Sequence, residues 1–318
     1  LEPGFQMSFA ATIALVVVFR GLKNVRWWKA MYHGRWRYIQ PLVGLIGSSL
    51  VAGAATAPFA AYHFNQVAHY GLIANVISLP LMSLIVMPCA VLAGVLWPVG
   101  LHGVALWGMG QGISAILNMA EWVSGLGGAV SLVPQAPPYA LMVFVVGTIV
   151  LILFRRTVRL FGIPVVMAAV LLWTQGHRPD VLVTGNGRLV GVMQDGERAL
   201  NRKRGNGFAA RSWLENDGLF FDQIKSAALF EAPNVDRFIQ KVGDATIFYL
   251  WGKKLDLDEL FDICREYDVL IAPQWRETVS GQCMYWGERE LRYDGSLSFE
   301  DTPEGLKIET ARQNGGKR

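Results

Sequence analysis

Residues 56–98 read TAPFAAYHFNQVAHYGLIANVISLPLMSLIVMPCAVLAGVLWP, a stretch in which polar side chains and prolines are set among residues as apolar as a bilayer core. It lies within a longer run, residues 38–120, that contains no Asp, Glu, Lys or Arg. About 20 apolar residues cross a bilayer, so the run corresponds to roughly three crossings. His63, Asn65, Gln66, His69 and Asn75 are embedded in it, followed by Pro80 and Pro88. Lipid cannot satisfy the hydrogen bonds of such groups, so they are expected to face a protein interior or a wet cavity.

The rest of the composition agrees. Of 318 residues, 52% are hydrophobic and 17% charged, a charged share below that of ordinary soluble proteins. Residues 1–177 hold nine basic and two acidic residues, and residues 178–318 hold twenty basic and twenty-three acidic. The basic pI therefore comes from membrane flanks and is no sign of a nucleic-acid-binding patch. The first half reads as a helical membrane bundle of about six segments: 5–19, 41–59, 70–97, 101–126, 139–154 and 160–174. Pro80 and Pro88 are expected to interrupt the third, and residues 125–138, GLGGAVSLVPQAPP, to form a loop. The chain opens on Leu1, without a basic n-region or cleavage pattern, so it reads as the C-terminal piece of a longer protein and carries no signal peptide.

Charge sets the expected orientation. Residues 20–37 carry six basic and no acidic residues, interleaved with Trp27, Trp28, Tyr32 and Trp36. Aromatics between cations can stack on nucleic-acid bases, but between two spans they read more simply as a cytoplasmic loop with interfacial rings. Four crossings later Arg155, Arg156 and Arg159 fall on the same side, and one more crossing puts everything after His177 outside the cytoplasm.

From residue 178 the chain reads as a soluble mixed α/β domain of ordinary size. DVLVT (180–184) and RLVGVM (188–193) are strands about a Gly-Asn-Gly turn, and Asp195-Gly196 turns into a third at 198–200. Residues 207–215 read as a helix. ATIFYLW (245–251), an amphipathic helix over 257–267 and a strand over 268–272 suggest a βαβ unit. Strands near 283–286, 297–299 and 306–309 would complete one mixed sheet, and residues 313–318 a frayed tail.

Several of these segments are similar to a known family. EPGFQMSF (2–9) resembles the DPGFQLSF signature of the ComEC family of competence proteins, with Glu2 in the place of the usual Asp; PFAAYHFN (58–65) and GLIANVISLPL (71–81) are similar to that family's membrane core. RPDVLVTGNGR (178–188) resembles the first hairpin of the metallo-β-lactamase-like domain that ends many members. The resemblance implies an inner-membrane channel that passes single-stranded DNA into the cytoplasm during natural transformation. Its expected partners are the DNA strand, the lipid bilayer, DNA-uptake and cytoplasmic motor proteins, and further copies of the chain. No Walker-type phosphate loop occurs, so a motor has to be a partner.

Some members are thought to degrade the non-transported strand with metal ions in the C-terminal domain. A two-metal hydrolase of that kind needs a close cluster of His and Asp, and the five histidines, His33, His63, His69, His102 and His177, all precede residue 178. Asp256, Asp258, Glu259 and Asp262 are close together, but acidic residues in the first turn of a helix are explained by its dipole. The domain is therefore expected to be a degenerate, non-catalytic αβ-sandwich, with no catalytic residue, metal or cofactor assigned. The rival readings are a membrane-anchored metal-dependent nuclease or other hydrolase, and a small-solute transporter or structural membrane subunit.

Two sets of residues stand out as candidates. His63, Asn65 and Asn75 are expected to line a polar path in the membrane core, a reading favoured by the resemblance; without it they are structural polar groups. A polyanion crossing a low-dielectric layer calls for fixed positive charge, and residues 38–120 supply none; polar side chains, helix N-termini and water, or helices upstream of this sequence, are the substitutes that the reading leaves open. Cys264 and Cys283 are the only cysteines beyond residue 178, and in an oxidising compartment they would form a disulfide.

Overall fold

The computed structural model describes residues 2–23, 25–31, 38–154, 156–220, 222–230, 236–251, 256–277, 279 and 283–315. Tyr32, Trp36 and Arg155, invoked above for the basic loops, lie outside the described residues. The chain divides into two compact units, Leu1–Gln175 and Gly176–Arg318.

The first unit is helical. Its elements are α1 (Pro3–Leu22), α2 (Arg26–Met31), α3 (Gln40–Phe64), α4 (Gly71–Leu81), α5 (Met87–Leu96), α6 (His102–Ser124), α7 (Pro138–Leu153) and α8 (Gly162–Thr174). Among the described residues four segments are long and apolar enough to cross a membrane: Pro3–Leu22, Gln40–Phe64, Gly71–Val99 and Thr157–Thr174. Against the six expected, α7 is apolar but only 16 residues long, and α6 has the length but is diluted by polar residues. Large apolar side chains stay exposed along α1 and along α3 to α8 and the segment between α4 and α5, Leu84, Val91, Val104 and Met142 among them. This is the inverse of a water-soluble protein and the expected condition of a lipid-facing surface.

Glycines let two helix pairs close up, as small residues do in membranes. A Cβ on Gly147 of α7 would stand 2.8 Å from the Val166 side chain and 2.9 Å from its backbone nitrogen. One on Gly112 of α6 would meet Val86 at 2.8 Å and Ile85 at 3.0 Å. Pro80 and Pro88 do not break the helix they interrupt. A π-helical segment, Met82–Val86, joins α4 to α5 without a gap. Proline withholds an N–H and crowds the preceding turn, and the wider π turn absorbs both. The Ser83 hydroxyl donates to the Leu79 carbonyl at 2.7 Å, taking up one acceptor in that altered ladder.

The second unit is built on two sheets where the sequence suggested one. Strands β3 (Val181–Val183), β4 (Val190–Gln194), β5 (Glu197–Leu200), β10 (Leu297–Thr302) and β11 (Gly305–Thr310) form an antiparallel sheet in the order β11-β10-β3-β4-β5. Strands β6 (Arg237–Val242), β7 (Ala245–Leu250), β8 (Val269–Ile271) and β9 (Met284–Trp286) form the other, with β7, β8 and β9 parallel and β6 antiparallel at its edge. The inner faces meet in one core: Val181, Val183, Val192 and Phe299 from the first sheet, Ile247, Tyr249, Val269 and Ile271 from the second.

Alternation sends the other residues outward. Leu270 and Ala272 pack under α11 (Leu257–Glu266) with Leu260 and Cys264, while Leu189 and Leu200 pack under α9 (Gly207–Asn216) with Ala210 and Leu214. Helices thus cover both outer faces, an α/β/β/α layering. The βαβ unit over 245–272 is present as expected, β7 and β8 pairing in parallel around α11. Asp256 caps α11, its carboxylate accepting from Leu257 N at 2.8 Å. Asp262 pairs with Arg265 at 3.5 Å, so those acidic residues serve their own helix. Residues 313–315, expected to fray, belong to a short last helix, Ala311–Gly315.

Candidate functional site

Most of the polar residues singled out in the apolar run, His63, Asn65, Gln66 and His69, gather at one end of the helical unit. His63, beyond the expected end of its span at residue 59, is in the last turn of α3, and the helix stops two residues later because Asn65 adopts the left-handed conformation, φ 54°. Asparagine tolerates that conformation better than other non-glycine residues. The turn launches β1 (Gln66–Ala68), which pairs antiparallel with β2 (Val130–Leu132), with Gln66 opposite Leu132 and Ala68 opposite Val130. Residues 125–138, read from sequence as a plain loop, therefore contain a strand. Three residues of alternation among glycines are too few to announce one.

Hydrogen bonds extend the pairing at both ends. Asn65, 6% exposed, donates its side-chain amide to the Val133 carbonyl at 3.2 Å, and its own carbonyl accepts from Val133 N at 2.8 Å. His69 Nε2 stands 2.6 Å from Ser131 Oγ, and Tyr70 OH donates to the Gly127 carbonyl at 3.1 Å. His63 Nε2 lies 3.0 Å from Gln6 Oε1, bringing the first turns of α1 to the last turn of α3. Tyr62 stacks edge-on against Trp173 of α8, whose indole N–H donates to the Pro134 carbonyl at 3.0 Å. One polar clasp thus gathers the ends of α1, α3, α4, α6, α7 and α8. It also bears on the sequence reading of His63 and Asn65: His63 Nε2 and the Asn65 side-chain NH2 are engaged by neighbours in the clasp.

Asn75 does not join them. It is exposed on α4, and its side chain makes no hydrogen bond among the described residues. The sequence grouped the three by proximity along the chain, whereas the left-handed turn at Asn65 and the strand after it put them on different surfaces.

A second polar feature escaped the sequence reading. On α6, Gln111, Ser114, Asn118 and Glu121 are all exposed, while Ala105, Gly112 and Val123 are buried. The intervals of three, four and three residues are the signal that could have found them, but the segment was judged by its total apolarity alone.

In the second unit the candidate site is a cleft of about 900 Å³. Its walls are the β3–β4 turn (Gly185, Asn186), the segment after β8 (Pro273 to Glu277) and the helix Glu288–Asp294. Openings beyond the C-terminal ends of parallel strands are common ligand sites. Here Glu288 occupies both guanidinium groups at the rim, Arg276 at 2.7 Å and Arg292 at 2.8 Å. The hydrogen bond from Arg276 holds the Glu288 carboxyl below the usual glutamate range. On the core side, burial pushes the Tyr249 hydroxyl above the ordinary tyrosine value, and it donates to the Gly187 carbonyl at 2.8 Å. Among the described residues no group of three or more His, Cys, Asp and Glu side chains is placed to hold a metal ion.

Cys264 of α11 and Cys283, just before β9, are joined by a disulfide with Cα atoms 5.1 Å apart. Cys89 of α5 is free.

The family model for Competence, described as competence protein, matches residues 1–158, the helices α1 to α7. No curated protein and no solved structure matches the chain.

Proposed function

We propose, from the premise that residues 1–158 belong to the competence protein family, that this chain is part of the inner-membrane channel of natural transformation, passing single-stranded DNA into the cytoplasm. The observation that carries the reading is the coincidence of that match with the membrane half of the chain. A role in DNA uptake assigned to helices this apolar is a role at the membrane itself.

Several features support the finer assignment. The clasp ties the ends of six helices together through neutral polar groups. The basic clusters around residues 20–29 and at Arg156 and Arg159 mark the cytoplasmic side by the positive-inside rule. With α8 as one further crossing, residues 176–318 emerge on the periplasmic or extracellular side, where a Cys264–Cys283 bridge is chemically at home. On this reading the second unit is a degenerate relative of the metallo-β-lactamase-like domain and hydrolyses nothing. The support is its sequence, which carries no histidine beyond residue 177. The transported strand, a cytoplasmic motor and other uptake proteins are its partners.

The test is deletion of the corresponding gene in a transformable strain, scored by labelled DNA. DNA is expected to bind the surface normally while the nuclease-protected cytoplasmic fraction disappears. Unchanged transformation in the deletion strain would refute the proposal.

A further inference from the structure

Helix α6 is two-sided in an unusual sense for a membrane segment. Its packed side, Ala105, Gly112 and Val123, lies against the hairpin partner formed by α4, the π segment and α5. Gly112 sits so close to Ile85 and Val86 that no side chain fits between them. Turned away from that contact is the row Gln111, Ser114, Asn118 and Glu121, each exposed and each without a side-chain partner among the described residues. At 1.5 Å per residue the row runs roughly 15 Å along the helix, about half the hydrocarbon thickness. It reaches from the middle of α6 to the end that leads into β2. Continued the other way, the same row turns apolar at Trp107 and Val104, which are 69% and 72% exposed.

Two carboxamides, a hydroxyl and a carboxylate do not face acyl chains, because each would surrender its water with nothing in return. A second helix could face them only by presenting matching donors and acceptors along the whole row, and a cation for Glu121. Water meets all four without such matching. We propose that this row of α6 lines a water-filled half-path that enters from the clasp end of the bundle and closes near Trp107. Resting on the channel reading above, the DNA strand is the solute that passes along it. A lining without cations, neutral at Gln111, Ser114 and Asn118, suits a polyanion in transit, since conduction needs contacts favourable enough to enter and weak enough to leave. Amide and hydroxyl groups can meet phosphate oxygens and bases in turn, and Glu121 at the mouth keeps the strand from settling there.

The test is cysteine accessibility in the full-length protein in living cells, on a Cys89→Ser background. Gln111→Cys, Ser114→Cys and Asn118→Cys are compared with Leu84→Cys and Val91→Cys, exposed apolar positions outside the row. A membrane-impermeant thiosulfonate reagent is added from outside. Thiols react as thiolates, which form in water and not in lipid, so the row positions are expected to label at least about tenfold faster than the two controls. Ser114→Cys exchanges one oxygen for sulfur and keeps the experiment readable if the larger changes fail to accumulate. Rates equal to the controls would overturn the half-path, showing the row sealed by lipid or by protein. Added transforming DNA is expected to slow labelling of the row. Fast labelling that DNA leaves unchanged, in cells that take DNA up, would overturn the DNA contact. Fast labelling alongside normal uptake in the deletion strain would keep the half-path and remove the channel reading instead.

Discussion

Removing the carboxylate of Asp217 tests the energetics of the second unit at its most demanding point. Arg198 projects from β5 with its side chain wholly buried, and Asp217, just past α9, is 5% exposed. Arg198 Nε and Nη2 both donate to the Asp217 carboxylate; Nη2 also reaches the Pro179 carbonyl at 3.0 Å and Nη1 that of Gly191 at 3.4 Å. Asp217→Ala leaves a guanidinium in the interior with two carbonyls and no counter-charge. Breaking one side of such a pair costs about 3–5 kcal/mol, a large share of the roughly 5–15 kcal/mol that holds a domain together. With a urea dependence of about 2 kcal/mol per molar, the unfolding midpoint falls by roughly 2 M. The measurement is resistance to a brief protease pulse across a urea series, on the full chain in membrane vesicles, with the second unit followed by antibody. The double change Arg198→Met with Asp217→Leu removes both charges, and is expected to recover much of the loss despite orphaning two carbonyls. A midpoint shift below about 0.5 M for Asp217→Ala, or a double variant no better than the single, would refute the reasoning.

Three further outcomes follow from particular contacts. Tyr249 keeps its proton in the folded state beyond the ordinary tyrosine value because burial disfavours the phenolate. Its contribution is therefore complete below pH 10 and is lost as pH rises further, at up to about 1.4 kcal/mol per pH unit. Tyr249→Phe is expected to flatten that alkaline decline in the same protease assay, and an unchanged slope would exclude Tyr249 as its source. Protein isolated from its native membrane is expected to gain the mass of two hydrogens on reduction, from Cys264 and Cys283. Closing a loop of that sequence separation, 19, stabilises by about 3 kcal/mol, and two free thiols before reduction would count against both the bridge and the exported side. At Asn65, Gly retains the left-handed backbone and loses the bond to Val133, about 1 kcal/mol. A β-branched residue there also pays for the positive φ. Asn65→Val should therefore accumulate less in the membrane than Asn65→Gly, and equal levels would show that φ is not the constraint.

What the sequence made legible follows from which interactions are local. Helix placement in the first unit came from apolar length and needs no long-range information, so α1, α3 and α6 to α8 lie within a few residues of their expected bounds. The β7–α11–β8 unit was readable for a related reason: alternation, then a 3.6-residue period, then alternation again. The edge strand β6 was missed because RFIQKV exposes every other residue to solvent and offers no apolar run. The division into two sheets was hidden as well, since β3 pairs with β10 more than a hundred residues downstream. The clasp is the sharpest case. Its histidines and asparagine were noticed, yet their partners, Gln6 on α1 and Ser131 and Val133 in and beside β2, lie about sixty residues away. A polar residue in an apolar run declares that it needs a partner, and only the fold says which one.

That distinction also changes how the lack of positive charge in residues 38–120 is understood. Judged from sequence, it posed a difficulty for a polyanion, because a charge in a low-dielectric layer demands a counter-charge, and polar side chains, helix N-termini, water or upstream helices were the open ways round it. The difficulty is that of a dry path. His63, Asn65 and His69 are committed to holding helix ends together, and the row on α6 has no such commitment, which makes it the better place to look for water. Where water fills the space beside that row, the phosphates bring their hydration and counter-ions with them and the lining need not be cationic. A fixed lysine or arginine would in that case hold a polyanion rather than pass it. The neutral amides of Gln111 and Asn118 and the hydroxyl of Ser114 are then sufficient, and introducing a cation there becomes informative. Asn118→Lys is expected to slow DNA entry while leaving surface binding intact; faster entry would mean that the path is dry and short of charge after all.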